Sequence, residues 1–196
     1  MKRQHIKTIV IVTIVIVAAS IFIVSEALAT QDRFTLKSPN GIAFSEFKGY
    51  DAWQVIAPSQ PDDGGGCGST PSGCIKAILG NAAMIKAYRD GIPANGNPVP
   101  DGAAIAKIEW SRNRNAASPY GVTEPGTLSE VSFMVKDSKR FPDTNGWGYA
   151  TFRHDASSNT WKPYGTDASF ARTVCHQCHT GGAKARDFVY TRYAQR

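Results

Sequence analysis

Cys175, Cys178 and His179 stand in the order C-x-x-C-H within "TVCHQCHTGG", close to the carboxy-terminal end of a 196-residue chain. Two thiols at this spacing, followed at once by an imidazole, suit three chemistries: covalent attachment of a haem whose iron takes the histidine, a zinc site, or a thiol–disulfide redox pair. Haem attachment needs two sulfurs and an imidazole on one side, and positions i, i+3 and i+4 of a helix meet that need. The stretch "DASFARTVCHQCH" predicts such a helix, with Asp167 or Ser169 as N-cap and Phe170, Val174 and Cys178 along one stripe. A thioredoxin-like pair would open a helix directly after a buried strand of a βαβ unit, and no such unit precedes it. Zinc would need two further ligands; His154 and His176 are available, but no second cysteine pair has ligand spacing. The motif therefore points to one covalently bound c-type haem per chain, attached at Cys175 and Cys178, with His179 on the iron.

The second axial position is expected to be open. Small electron-transfer cytochromes carry the motif early and a methionine far downstream, and here no methionine follows His179. Met84 falls on an amphipathic helix and Met134 in a strand, where core packing is the simpler role. His154 ends a strand and reads as a surface residue, and His176 points away from the haem face by helical geometry. Trp53, Trp110, Trp147 and Trp161 read as core or dimer interface. A four-helix bundle is excluded by 18 glycines, 11 prolines and several strand-like runs.

The elements that must hold the motif begin after residue 29. Basic "MKRQHIK", the apolar run Thr8 to Val24 and the small residues Ala27 and Ala29 have the form of an export signal, expected to be cleaved or to remain as an anchor. Residues 30–196 then form one domain outside the cytoplasmic membrane. The formal charge of +6 falls with the signal, which carries Lys2, Arg3 and Lys7 against Glu26. No stretch interleaves Lys/Arg with aromatics, so nucleic-acid binding is unsupported. Cys67 and Cys74 enclose the turn-rich "GSTPSG" and predict a disulfide in an oxidising compartment.

Between these landmarks, "GYDAWQVIAPSQ" is the one ordered-looking piece of residues 30–63, with a strand at Trp53 to Ala57. "IKAILGN" reads as a strand, Asn81 caps a helix "AAMIKAYRD", and Gly91 ends it. Strand runs follow at Ala103 to Trp110, Thr127 to Val135 and Trp147 to His154, and "DFVYTRY" predicts one last strand. Alternation puts Ala104, Ala106, Ile108 and Trp110 on one face and Ala103, Ile105, Lys107 and Glu109 on the other; Val131, Phe133 and Val135 likewise oppose Glu130, Ser132 and Met134. The expected fold is α+β, an antiparallel sheet with two main helices, the C-terminal one carrying the haem motif.

"PDGAAIAKIEW", "MVKDSKRF", "GWGYATFRHD" and "CHQCHTGGAKARDFVYTRY" together resemble, in order and spacing, the cytochrome P-460 family and its relative cytochrome c′-beta. The resemblance implies a periplasmic, sheet-rich homodimer with one c-type haem, five-coordinate through the motif histidine. Small nitrogen species bind on the open side, and electrons pass to a soluble redox partner. In the P-460 enzymes a lysine is joined to the porphyrin edge and hydroxylamine is oxidised; by its spacing from the "PDG" turn that lysine falls on Lys107. The position at which hydroxylamine-oxidising members carry a distal carboxylate falls on Ser132, which relays only a hydrogen bond, and Glu130 on the same face is the candidate to replace it. The alternatives are a nitric oxide-binding protein without turnover, and electron transfer with both axial positions filled.

Overall fold

The computed structural model describes residues 31–62, 67 and 73–196. The export signal expected over residues 1–29 lies outside the described residues. A single antiparallel sheet runs in simple meander order, β1 (Gln54–Ser59), β2 (Cys74–Gly80), β3 (Ala104–Asn115), β4 (Val122–Lys136), β5 (Trp147–Asp155) and β6 (Thr160–Pro163). Helix α1 (Ala82–Arg89) is inserted between β2 and β3, and α2 (Gln177–Ala183) follows β6. The α+β class expected from the sequence is the observed one. Asn81 caps α1 by accepting the Met84 N–H at 3.0 Å, and Gly91 at φ 82° ends it in a conformation that side chains disfavour. The edge strand β6 was not foreseen: "TWKP" is short and ends on proline.

Both faces of the sheet are covered, which is why its central strands carry buried residues on both sides of the pleat. On one face Ala104, Ala106, Val131, Phe133, Ala150 and Phe152 pack beneath Ile42, Phe44, Phe47 and Tyr50. Phe47 stacks on Phe133 with centroids 4.0 Å apart, and burying each such ring stabilises the fold by about 2–3 kcal/mol. This covering layer corrects the expectation that residues 30–48 lack order. It is built from 3-10 turns at Arg33–Thr35, Phe44–Phe47 and Tyr50–Ala52, whose apolar residues follow neither a strand nor an α-helical period. On the other face Ile78, Ile105 and Tyr149 meet Met84 and Ile85 of α1 and, from the chain's end, Phe188 and Val189. Cys67 and Cys74 form the expected disulfide, which ties the start of β2 to the loop before it.

Two further expectations are corrected at the carboxy-terminal end. "DFVYTRY" forms no strand, because Asp187 and Phe188 both have positive φ, 44° and 64°, and Arg186 occupies the carbonyls of Tyr190 and Thr191. The motif helix begins as a π-helical stretch, Ala171–His176, before α2 continues it. Neither Asp167 nor Ser169 caps it: the Asp167 carboxylate accepts the Ser169 N–H and hydroxyl in the turn ahead. The wider winding breaks the expected stripe, so Val174 is 48 % exposed while His176 is buried.

Candidate functional site

On the second face the strand registers line up three transverse rows. The outermost is Lys76, Glu109, Glu130 and Arg153, one residue from each of β2 to β5. The next is Ile78, Lys107, Ser132 and Thr151, and the third Gly80, Ile105, Met134 and Tyr149. Lys107, Ser132 and Glu130, all singled out from the sequence, are thus brought together. Lys107 Nζ donates to Glu130 Oε1 at 3.0 Å and lies 3.5 Å from Glu109 Oε2. Thr151 donates to the Ser132 hydroxyl at 2.9 Å, and Ser132 donates to Glu130 Oε1 at 3.2 Å. Glu130 is therefore no surface glutamate: it is 4 % exposed and collects the bonds of two neighbours on its face.

Glu109 was missed as a site residue, although alternation placed it beside Lys107. Its side chain is fully buried, and neither carboxylate oxygen has a hydrogen bond among the described residues. Its ion-pair partners stand off, Lys107 at 3.5 Å and Lys76 at 3.7 Å. Burial pushes the Glu109 carboxyl above its ordinary range; Lys107 draws it back, and Glu130 opposite pushes it further up. Burial likewise lowers Lys76, with Lys107 adding to the effect. Both partners thus move toward neutrality, so desolvation outweighs attraction in this pair.

The C-x-x-C-H motif faces this cluster. Cys175 belongs to the apolar packing of the second face. Burial pushes its thiol up to about 11, the neighbouring Cys178 adds to this, and the charges of Lys107 and Glu130 both reach it. Cys175 also shares a small crevice with Thr151, Tyr149 and Phe170. Cys178 is exposed, and the two motif sulfurs are not joined to each other. His179 donates from Nδ1 to the Phe188 carbonyl at 2.7 Å, because a carbonyl can only accept. That bond fixes the tautomer and leaves Nε2 with its lone pair, without a hydrogen-bond partner among the described residues. Burial lowers the His179 pKa, with the Lys107 charge a lesser cause, and this favours the neutral, ligating form.

His176 bridges two elements. Its Nε2 donates to Asn145 Oδ1 at 3.1 Å, so Nδ1 accepts the Tyr149 hydroxyl at 3.0 Å. The Tyr149 ring also lies 5.1 Å from that of His179, so His176 and His179 flank one aromatic side chain. Tyr190 donates to the Cys178 carbonyl at 2.7 Å and packs where a Cβ on Gly182 would sit. His154, by contrast, is on the aromatic face, against Trp161, with both ring nitrogens hydrogen-bonded.

The donor set fits a covalently held haem. Two unpaired thiols and one imidazole with a free nitrogen project from consecutive turns, beside a face that offers a lysine, hydroxyls and carboxylates. The decisive comparison agrees, since Cytochrome P460 matches residues 47–191. The chain belongs to the Cytochrome P460 family. That family is one of haem proteins, and the match spans all three rows of the face as well as the motif. No curated protein matches the chain.

Proposed function

We propose that this family member is a periplasmic c-type cytochrome that oxidises hydroxylamine or a closely related small nitrogen compound. Cys175 and Cys178 are the thioether positions, His179 is the iron ligand, Lys107 meets the haem edge, and Glu130 with Ser132 manages protons. The observation that carries this reading is the 3.0 Å contact between Lys107 and a buried Glu130, on the face that the motif covers. Haem bound here supplies an iron that takes electrons from a small ligand and passes them on.

The chain's own residues do the rest. Glu130 Oε1 accepts from both Lys107 and Ser132, so a proton taken up at the Ser132 hydroxyl passes to Glu130 while Thr151 keeps that hydroxyl oriented. The carboxylate expected at position 132 is in this way replaced by one reached through a serine. Glu130 Oε1, 3.0 Å from Lys107 Nζ, is within hydrogen-bond reach of that amine and holds it on the face beside the motif. Supporting the location is the signal-like pattern of residues 1–29. The reading further includes a soluble redox partner and a homodimer, for which the exposed Tyr120 and Val122 near the far end of β3 and β4 are candidate contacts.

A second reading, nitric oxide capture without turnover, is favoured by Ser132 itself, since a hydroxyl is a weaker base than the carboxylate it replaces. Lys107→Leu separates the two. The variant is expected to keep its haem and bind nitric oxide, to change its optical spectrum, and to lose hydroxylamine oxidation. Unchanged spectrum and rate would leave Lys107 as a sheet residue and favour capture.

A further inference from the structure

The turn that presents the Phe188 carbonyl to His179 is held by a buried charge the proposed chemistry does not use. Asp187 and Phe188 are consecutive non-glycine residues at φ 44° and 64°, a conformation that side chains disfavour and that persists only where the surroundings impose it. The surroundings here are specific. Lys136 Nζ lies 3.1 and 2.8 Å from the two Asp187 carboxylate oxygens, and the Val99 N–H donates to one of them at 2.8 Å. Trp147 Nε1 donates to the Asp187 carbonyl, and the Phe188 N–H to the Ala183 carbonyl, each at 2.9 Å. Lys136 is 5 % exposed, lies over the Trp147 ring, and also donates to the Asn145 carbonyl at 2.9 Å. Asn145 in turn accepts from His176. One ammonium at the end of β4 thus connects to both motif histidines, to His176 through Asn145 and to His179 through Asp187 and Phe188.

We propose that Lys136 and Asp187 are positioning residues that hold the Phe188 carbonyl against His179 Nδ1 and so set the donor strength of the nitrogen His179 offers to iron. The inference rests on the haem reading above. A firm hydrogen bond from Nδ1–H to an acceptor makes the opposite nitrogen more basic, so a loosened turn weakens the ligand without removing it. Neither residue needs to touch haem. A buried ion pair often gives little net stability, which is consistent with a positioning role for this one.

The test uses haem-loaded, full-length protein, with a haemochrome assay confirming attachment in every variant. Asp187→Asn and Lys136→Gln are each expected to move the ferrous iron–histidine stretching band to lower frequency. The double variant should move it no further than the larger single change, because the two act through one contact. Phe47→Leu, on the opposite face, should lower the melting temperature and leave the band in place, which separates positioning from general loosening. Bands at the wild-type frequency in both charge variants would overturn the proposal. Should the charge variants not accumulate, Trp147→Phe removes the indole bond to the Asp187 carbonyl and trims the ring beneath Lys136, loosening the same turn, and an unmoved band there overturns it equally. If the wild-type protein carries no haem, the proposed function fails. The pair is then judged by exchange of the His179 Nδ1 proton, expected to be faster in Asp187→Asn; unchanged exchange would overturn it.

Discussion

The two faces of this sheet are made from the same strands, and they differ in almost every physical respect. One carries Phe133 and Phe152 under Phe44, Phe47 and Trp161, rings meeting edge to face, tilted or stacked, with Arg33 set over four aromatic rings. The other carries a row of two cations and two carboxylates, one of which has no hydrogen bond for either oxygen among the described residues. The first face secures the fold, and the second is placed where the motif can use it. Alternation along a strand permits this division, because each residue added on the functional side leaves the packing side in step.

The largest test removes the packing side. Phe133→Ala is expected to destabilise the protein by about 3–5 kcal/mol in urea unfolding, the usual loss for a buried aromatic, whereas Ser132→Ala at the adjacent position, which deletes one hydroxyl bond to Glu130 on the polar face, should change stability by roughly 1 kcal/mol. Comparable losses would mean that the polar face is also structural.

A second test uses pH to sharpen the contrast. Glu109 has a raised folded-state pKa, so the stability it contributes is complete below its ordinary value of 4.5 and is lost as pH rises through the folded value. Glu109→Gln, which mimics the protonated side chain, should therefore be more stable than wild type at neutral pH, by about 1 kcal/mol, with the advantage shrinking toward pH 4. A difference independent of pH would contradict the burial argument.

The smallest effect belongs to Glu46, on the layer covering the aromatic face. Burial pushes its carboxyl up, but Arg140 at 2.7 Å and the Ala43 N–H outweigh burial and hold it below 4.5. Its contribution is present above that value and lost as pH falls through the folded pKa, the opposite sign to Glu109. Because the pair is partly exposed, Glu46→Gln should cost about 0.5 kcal/mol at pH 7 and less in high salt. Thermal melts of both variants across pH 3 to 8 check the two signs side by side.

Sequence reasoning reached this division unevenly. The face of Lys107 follows from Ala104, Ala106 and Ile108 alone, since alternation is local. The burial of Glu109 does not, because it depends on neighbours from other strands, Lys76 of β2 and Glu130 of β4. The aromatic cover was hidden for a related reason: Phe34, Phe44 and Phe47 sit on short 3-10 turns, with Leu36 and Ile42 in the extended chain beside them, and neither has a long period to detect. "DFVYTRY" has strand composition, yet Asp187 is held in its turn by Lys136, a partner 51 residues away. The motif helix was legible as a helix, but its π winding was not, because propensity does not distinguish the two.

The central claim is that Cys175, Cys178 and His179 hold a haem covalently beside the polar face. Extraction of the periplasm-matured protein with acidified organic solvent, followed by intact-mass analysis of wild type and a Cys175→Ala, Cys178→Ala double variant, tests it most directly. The account predicts wild type that retains the mass of one haem after extraction and a double variant that loses it. Haem extracted freely from wild type, or a wild-type mass equal to that of the polypeptide alone, would contradict it.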